Sequence, residues 1–145
     1  DNKDEVEARR MFNYSIKIFL LLAIPFVVGS FILAKPILIL FANEDVAQHA
    51  WLVTPIVALA TLFYGLNILC SNVLFVKMQT SIIFRLNSFA AVFNVIANMA
   101  LLYFFENIIV AAITTFLGYF LAFVYIKKIV SRYWQIDFEA SMILK

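Results

Sequence analysis

The sequence predicts an all-α fold: a polytopic membrane helix bundle of four transmembrane helices with both ends in the cytoplasm. Three observations predict it. The 145 residues are 65% hydrophobic and only 14% charged, with a mean hydropathy of +0.97, whereas a soluble domain is about half apolar and a quarter charged. Four apolar stretches each reach the roughly 20 residues that a helix rising about 1.5 Å per residue needs to cross about 30 Å of hydrocarbon. Of 11 Lys and Arg residues, all but Lys35 fall on one side when the four stretches are threaded through a membrane, and that side is the cytoplasmic one. Barrel strands are excluded because period-2 alternation is absent and the apolar runs are too long.

In chain order, residues 1–17 form a charged flank with Lys3, Arg9, Arg10 and Lys17. Asn2 followed by Glu5 suits a helix start, and Lys3–Glu7 and Glu5–Arg9 are spaced as i,i+4 pairs. A cytoplasmic helix therefore runs into the first span, 18–41, which contains Pro25 and Lys35. Pro25 removes a backbone hydrogen bond, and a kink is expected near Gly29. An outer loop at 42–50 carries no Lys or Arg. The second span, 51–76, lies in a window free of Asp, Glu, Lys and Arg. A cytoplasmic loop with Lys77 and Arg85 leads to the third span, 86–105, and a tight outer turn at Glu106 and Asn107 leads to the fourth, 107–126. Lys127, Lys128, Arg132 and Lys145 mark the last flank, where 131–145 reads as an amphipathic connector on the cytoplasmic surface. Trp51, Tyr125, Tyr133 and Trp134 sit at the levels of the aromatic belts. The acidic opening "DNKDEVEARR" is unlike a signal peptide, and the chain reads as an internal or C-terminal piece of a longer polytopic protein.

Most site chemistry is missing from the pattern. No glycine-rich phosphate loop, HExxH motif or paired carboxylates within a span occur. The one cysteine, Cys70, is a packing residue in mid-span, and the one histidine, His49, belongs to the outer loop. A net charge of +2 without a basic stripe argues against nucleic acid. No enzyme activity, metal or cofactor is expected.

The candidate substrate-binding residues are Arg85, Asn87, Asn94, Asn98 and Lys35. Lys35 lies 18 residues beyond Lys17, about 27 Å along a helix, which puts it near the outer interface as a snorkelling anchor or a cavity-lining cation. The asparagines lie in "NSFAAVFNVIANMALLYFF". At about 100° per residue, Asn94 falls near 340° and Asn98 near 20° from Asn87, with Ala91 near 40°. One narrow stripe therefore holds all three amides, which must face protein or a hydrated cavity because an unpartnered amide in hydrocarbon costs several kcal/mol. Interhelical glue and the lining of a hydrated pathway both satisfy that demand.

The segments resemble the C-terminal lobe of the polysaccharide and O-antigen (oligosaccharide-lipid) flippases, a branch of the multidrug/oligosaccharidyl-lipid/polysaccharide exporter superfamily. The matching stretches are "PILILFANEDVAQHAWLV", "FYGLNILCSNVLFVKMQT" and above all "NSFAAVFNVIANMALLYFFENIIVAAITT". In that family the last reads as a helix with spaced asparagines and a turn of the form Leu-Ile-Pro-x-Tyr-Gly-Ile-x-Gly-Ala-Ala-Ile-Ala-Thr. Ala111-Ala112-Ile113-Thr114-Thr115 keeps the end of the pattern. Asn107 replaces the first glycine, with access to the left-handed conformation, Val110 replaces the second, and the proline is missing.

The resemblance implies helices nine to twelve of a twelve- or fourteen-helix transporter in the cytoplasmic (inner) membrane. It implies partners in membrane lipid, a polyprenyl-diphosphate-linked oligosaccharide and the remaining helices of the parent chain. Alternating access around a central cavity would flip that substrate for polysaccharide or O-antigen export. A multidrug/cation antiporter of the same superfamily and a non-transporting four-helix assembly subunit are the alternatives.

Overall fold

A computed structural model describes residues 2–105 and 107–133, leaving aside the side chains of Asn2 and Lys3. Trp134, Lys145 and nearly all of the connector expected over 131–145 lie outside the described residues, as do Glu106 and the Asn2 and Lys3 side-chain pairings. Five helices follow: α1 (Asn2–Phe41), α2 (Glu44–Ala50), α3 (Val53–Val76), α4 (Thr80–Phe105) and α5 (Ile108–Val130). Four of them, all but α2, are long and apolar enough to cross a membrane. No strand occurs among the described residues.

α1 has 40 residues and is therefore about 60 Å long, twice the hydrocarbon thickness. Its charged first turns and its membrane span are one element, with Asp4 and Glu5 at the electropositive end. The helix continues through both Pro25 and Pro36. Phe12 and Ile16, one turn apart, are its buried contacts in this half.

The expected loop at 42–50 is instead largely helical. Asn43, in extended conformation, accepts a hydrogen bond from the Val46 amide at 2.8 Å, which starts α2. Glu44 and Asp45 follow in the first turn, and α2 packs back on α1.

The turn between α3 and α4 carries the chain's one non-glycine positive φ among the described residues, Met78 at 57°. The Gln79 amide donates to Leu74 O at 2.8 Å and the Met78 amide to Phe75 O at 3.0 Å. This double closure is the Schellman C-cap, with a methionine in the place glycine usually takes. α4 then starts at Thr80, six residues before the expected span, because the helix extends past the hydrocarbon boundary around Arg85.

In space the order is α1, α3, α5, α4, since α3 packs chiefly on α5 and α1, and α4 chiefly on α5. The tightest core gathers at one end: Phe12 and Ile16 of α1, Cys70 and Leu74 of α3, Ile83 of α4 and Ile126 of α5. At the same end the Lys77 ammonium pairs with Glu5, and Gln79 Nε2 donates to Tyr133 Oη at 2.6 Å. The flank before the first span, the α3–α4 turn and the end of α5 thus share one end of the bundle. Midway along, Phe63 of α3 meets Phe116, Phe120 and Phe123 of α5 with centroids 5.7, 5.1 and 5.7 Å apart. Large apolar side chains such as Leu22, Phe26, Ile32 and Phe104 face outward, as they do when hydrocarbon is the solvent.

Candidate functional site

The asparagine stripe divides between two neighbours. Asn94 and Asn98, one turn apart on α4, face α5 and form a chain of hydrogen bonds with it. The Thr114 hydroxyl donates to Asn98 Oδ1. Asn98 Nδ2 donates to Asn94 Oδ1 at 2.9 Å, and Asn94 Nδ2 donates to Thr115 Oγ1 at 3.3 Å. Thr115 passes its own proton to Ala111 O at 2.9 Å. Thr114 Oγ1 also lies 2.9 Å from Ala111 O; with one proton between two acceptors, the hydroxyl gives it to the nearer, Asn98 Oδ1. Both asparagine side-chain oxygens and one N–H of each amide thereby have partners, and the polar atoms sit between helices and away from lipid. This is the interhelical arrangement expected of amides in hydrocarbon.

Asn87 lies two turns earlier, where the neighbour is α3 and not α5. It opens on a cleft of about 130 Å³ shared with Tyr64, Asn67, Ser71 and Asn72 of α3. Asn67 is 4% exposed, and its Oδ1 accepts no hydrogen bond from the described residues. Ser71 Oγ donates to Asn67 O at 2.9 Å, the local bond that a serine in a membrane helix makes. The described lining is uncharged and mixed, with Ile68, Phe75 and Ile83 completing the walls beside the amides and the hydroxyl.

Arg85 and Asn87 do not converge. Residues two apart on a helix are separated by about 200°, so Arg85 instead faces a larger groove, about 1070 Å³, between α4 and α5. Lys128 and Arg132 line the same groove from the α5 side, with Leu86, Phe89, Phe93 and Leu121 farther along it. Lys35 stands apart from all three features, exposed near the far end of α1 beside the fully buried Ala34.

Sequence reasoning missed Asn67, Ser71 and Asn72 as companions of Asn87, although their spacing of four and one residues was visible. It missed Thr114 and Thr115 as partners of the asparagines. Asn107 takes an extended conformation, φ −123°, and not the left-handed one. Its side chain accepts from the Ile109 amide at 2.9 Å, so it starts α5 as an N-cap. Cys70 is buried in the core, as expected, and His49 is an exposed residue whose Nδ1 lies 2.8 Å from Asp45 O.

A family model, MatE, matches residues 2–100, which takes in α1 to α3 and most of α4. No curated protein and no solved structure gives a match. Members of this family are multi-pass membrane exporters and not enzymes, and four apolar helices suit that description. The match covers more than half of the chain, and the chain belongs to the MatE family of membrane transporters.

Proposed function

We propose that this chain is part of the C-terminal lobe of a flippase that moves polyprenyl-diphosphate-linked oligosaccharide across the cytoplasmic membrane by alternating access, serving polysaccharide or O-antigen export. The observation that carries the reading is an uncharged cleft in which Asn67, Ser71, Asn72 and Asn87 share the walls with Tyr64, Ile68, Phe75 and Ile83. Amides that both donate and accept, next to an aromatic face, suit the hydroxyls and apolar faces of a sugar. An organic cation would call for a carboxylate or an open aromatic cage. In this reading Asn87 and Asn72 touch substrate, Asn94 and Asn98 hold α4 to α5, and Lys35 anchors the outer end of α1.

Multidrug or cation antiport is the second reading, and MatE membership supports it equally. A non-transporting assembly subunit draws no support from the family match.

The test is reconstitution of the intact transporter into vesicles with a fluorescent lipid-linked oligosaccharide. Flipping above empty vesicles is expected, slowed at least tenfold by Asn87→Leu with Asn72→Leu. Ion-driven efflux of an organic cation without flipping would overturn the reading.

A further inference from the structure

We propose that the groove between α4 and α5 holds an anionic phospholipid of the surrounding bilayer, with the phosphate at its basic end and one acyl chain along its apolar length. This site is separate from the cleft at Asn87 and does not depend on what the protein transports.

Charge comes first. Arg85 approaches from α4, while Lys128 approaches from the last turn of α5 and Arg132 from the turn just past it. The described lining contains no Asp or Glu, so the mouth gathers three cations, one from α4, one from α5 and one from the turn after it. Arg85 and Arg132 can each offer paired N–H donors to phosphate oxygens. The hydrogen bond from Gln79 to Tyr133 Oη joins the α3–α4 turn to the turn after α5, and both residues line the groove with the cations.

Shape comes second. Beyond the cations the walls are Phe89, Phe93 and Leu121. Arg85 to Phe93 spans eight residues, about 12 Å of helix. A cationic mouth leading into an apolar bore of that length matches a lipid, whose charge and chain are joined in that order. A soluble phosphate would use the mouth and leave the bore empty. Basic pockets between membrane helices near the cytoplasmic surface bind anionic headgroups by the same physics.

The experiment uses the intact protein. Native mass spectrometry would follow lipid retained during titration with phosphatidylglycerol or with phosphatidylcholine of the same chains. Preferential retention of phosphatidylglycerol is expected. Lys128→Gln and Arg132→Gln should each weaken it about fivefold, the effect of about one headgroup-attracting charge, and adding Arg85→Gln should abolish the preference. Leu121→Trp, which fills the bore and leaves the cations in place, should also weaken phosphatidylglycerol. Inorganic phosphate at millimolar concentration should not displace the lipid. Equal retention of the two lipids, unchanged retention in the Lys128→Gln and Arg132→Gln proteins, or full displacement by inorganic phosphate would each overturn the proposal. So would a photo-crosslinker at Phe89 that captures residues 134–145 or another helix in place of lipid.

Discussion

Asn98 is the centre of the α4–α5 hydrogen-bond chain, accepting from Thr114 and donating to Asn94. Asn98→Ala removes both bonds, turns the Thr114 hydroxyl back onto the Ala111 carbonyl 2.9 Å away, and leaves Asn94 Oδ1 unpaired. Hydrogen bonds between membrane helices average about 0.6 kcal/mol and reach about 1.7. Asn98→Ala should therefore cost about 1–2.5 kcal/mol of stability, the upper part reflecting the lost Asn98–Asn94 bond. Thr114 is 3% exposed, so Thr114→Val keeps the shape and removes only the hydroxyl. A double-mutant cycle of Asn98→Ala with Thr114→Val, measured by reversible unfolding in bicelles, isolates the pair and should give a coupling of about 0.6–1.7 kcal/mol. Thr115→Val should matter less, at about 0.5 kcal/mol or below, because its contact with Asn94 is 3.3 Å, near the outer limit of a hydrogen bond. Additivity of the Asn98–Thr114 pair within about 0.3 kcal/mol would refute the reasoning, and so would Thr115 outranking Thr114.

Four further outcomes are expected. Gly65→Ala should cost about 1–3 kcal/mol, read as a lowered unfolding midpoint, because a Cβ there would lie within 2.7 Å of Phe19 Cε2 and push the ring out of the α1–α3 contact. Gly118→Ala, whose Cβ would lie 3.7 Å from Asn94 Nδ2, should be neutral or stabilising by up to about 1 kcal/mol from helix propensity. Met78→Gly should stabilise by about 1 kcal/mol in the same unfolding assay, since it relieves the left-handed backbone at the cap of α3. Single cysteines at Gln48 and Met78, both exposed, should react with an impermeant thiol reagent from opposite sides of the membrane while buried Cys70 stays unlabelled.

The spans were legible because hydropathy and the distribution of Lys and Arg are local or additive signals. Their ends shifted wherever a helix outlasts the hydrocarbon, as at Thr80 and Val130. The helix α2 was signalled by Asn43-Glu44-Asp45, a cap followed by two acids, and was passed over because a stretch between two spans reads as loop. Periodicity placed Asn94 and Asn98 on one face correctly, yet the partner of that face changes along α4, from α3 beside Asn87 to α5 beside Asn94. A helical wheel carries no information on crossing. Thr114 and Thr115 carry no sequence signal as partners of the asparagines, because pairing across helices depends on packing that no single segment encodes. Met78 hid a helix cap whose usual signature is glycine, and Gly65 and Gly29 looked alike although only Gly65 faces a ring.

The spatial order of the helices also sets a schedule for biogenesis. α4 is synthesised before α5, but the partners of its two amides lie on α5, 16 residues beyond Asn98 in the case of Thr114. At about 5–20 residues per second, ribosomal elongation adds Thr114 about one to three seconds after Asn98. α3 is already complete by then, and Ile83 and Asn87 can dock against it first. In lipid, α4 is therefore more stable paired with α5 than alone.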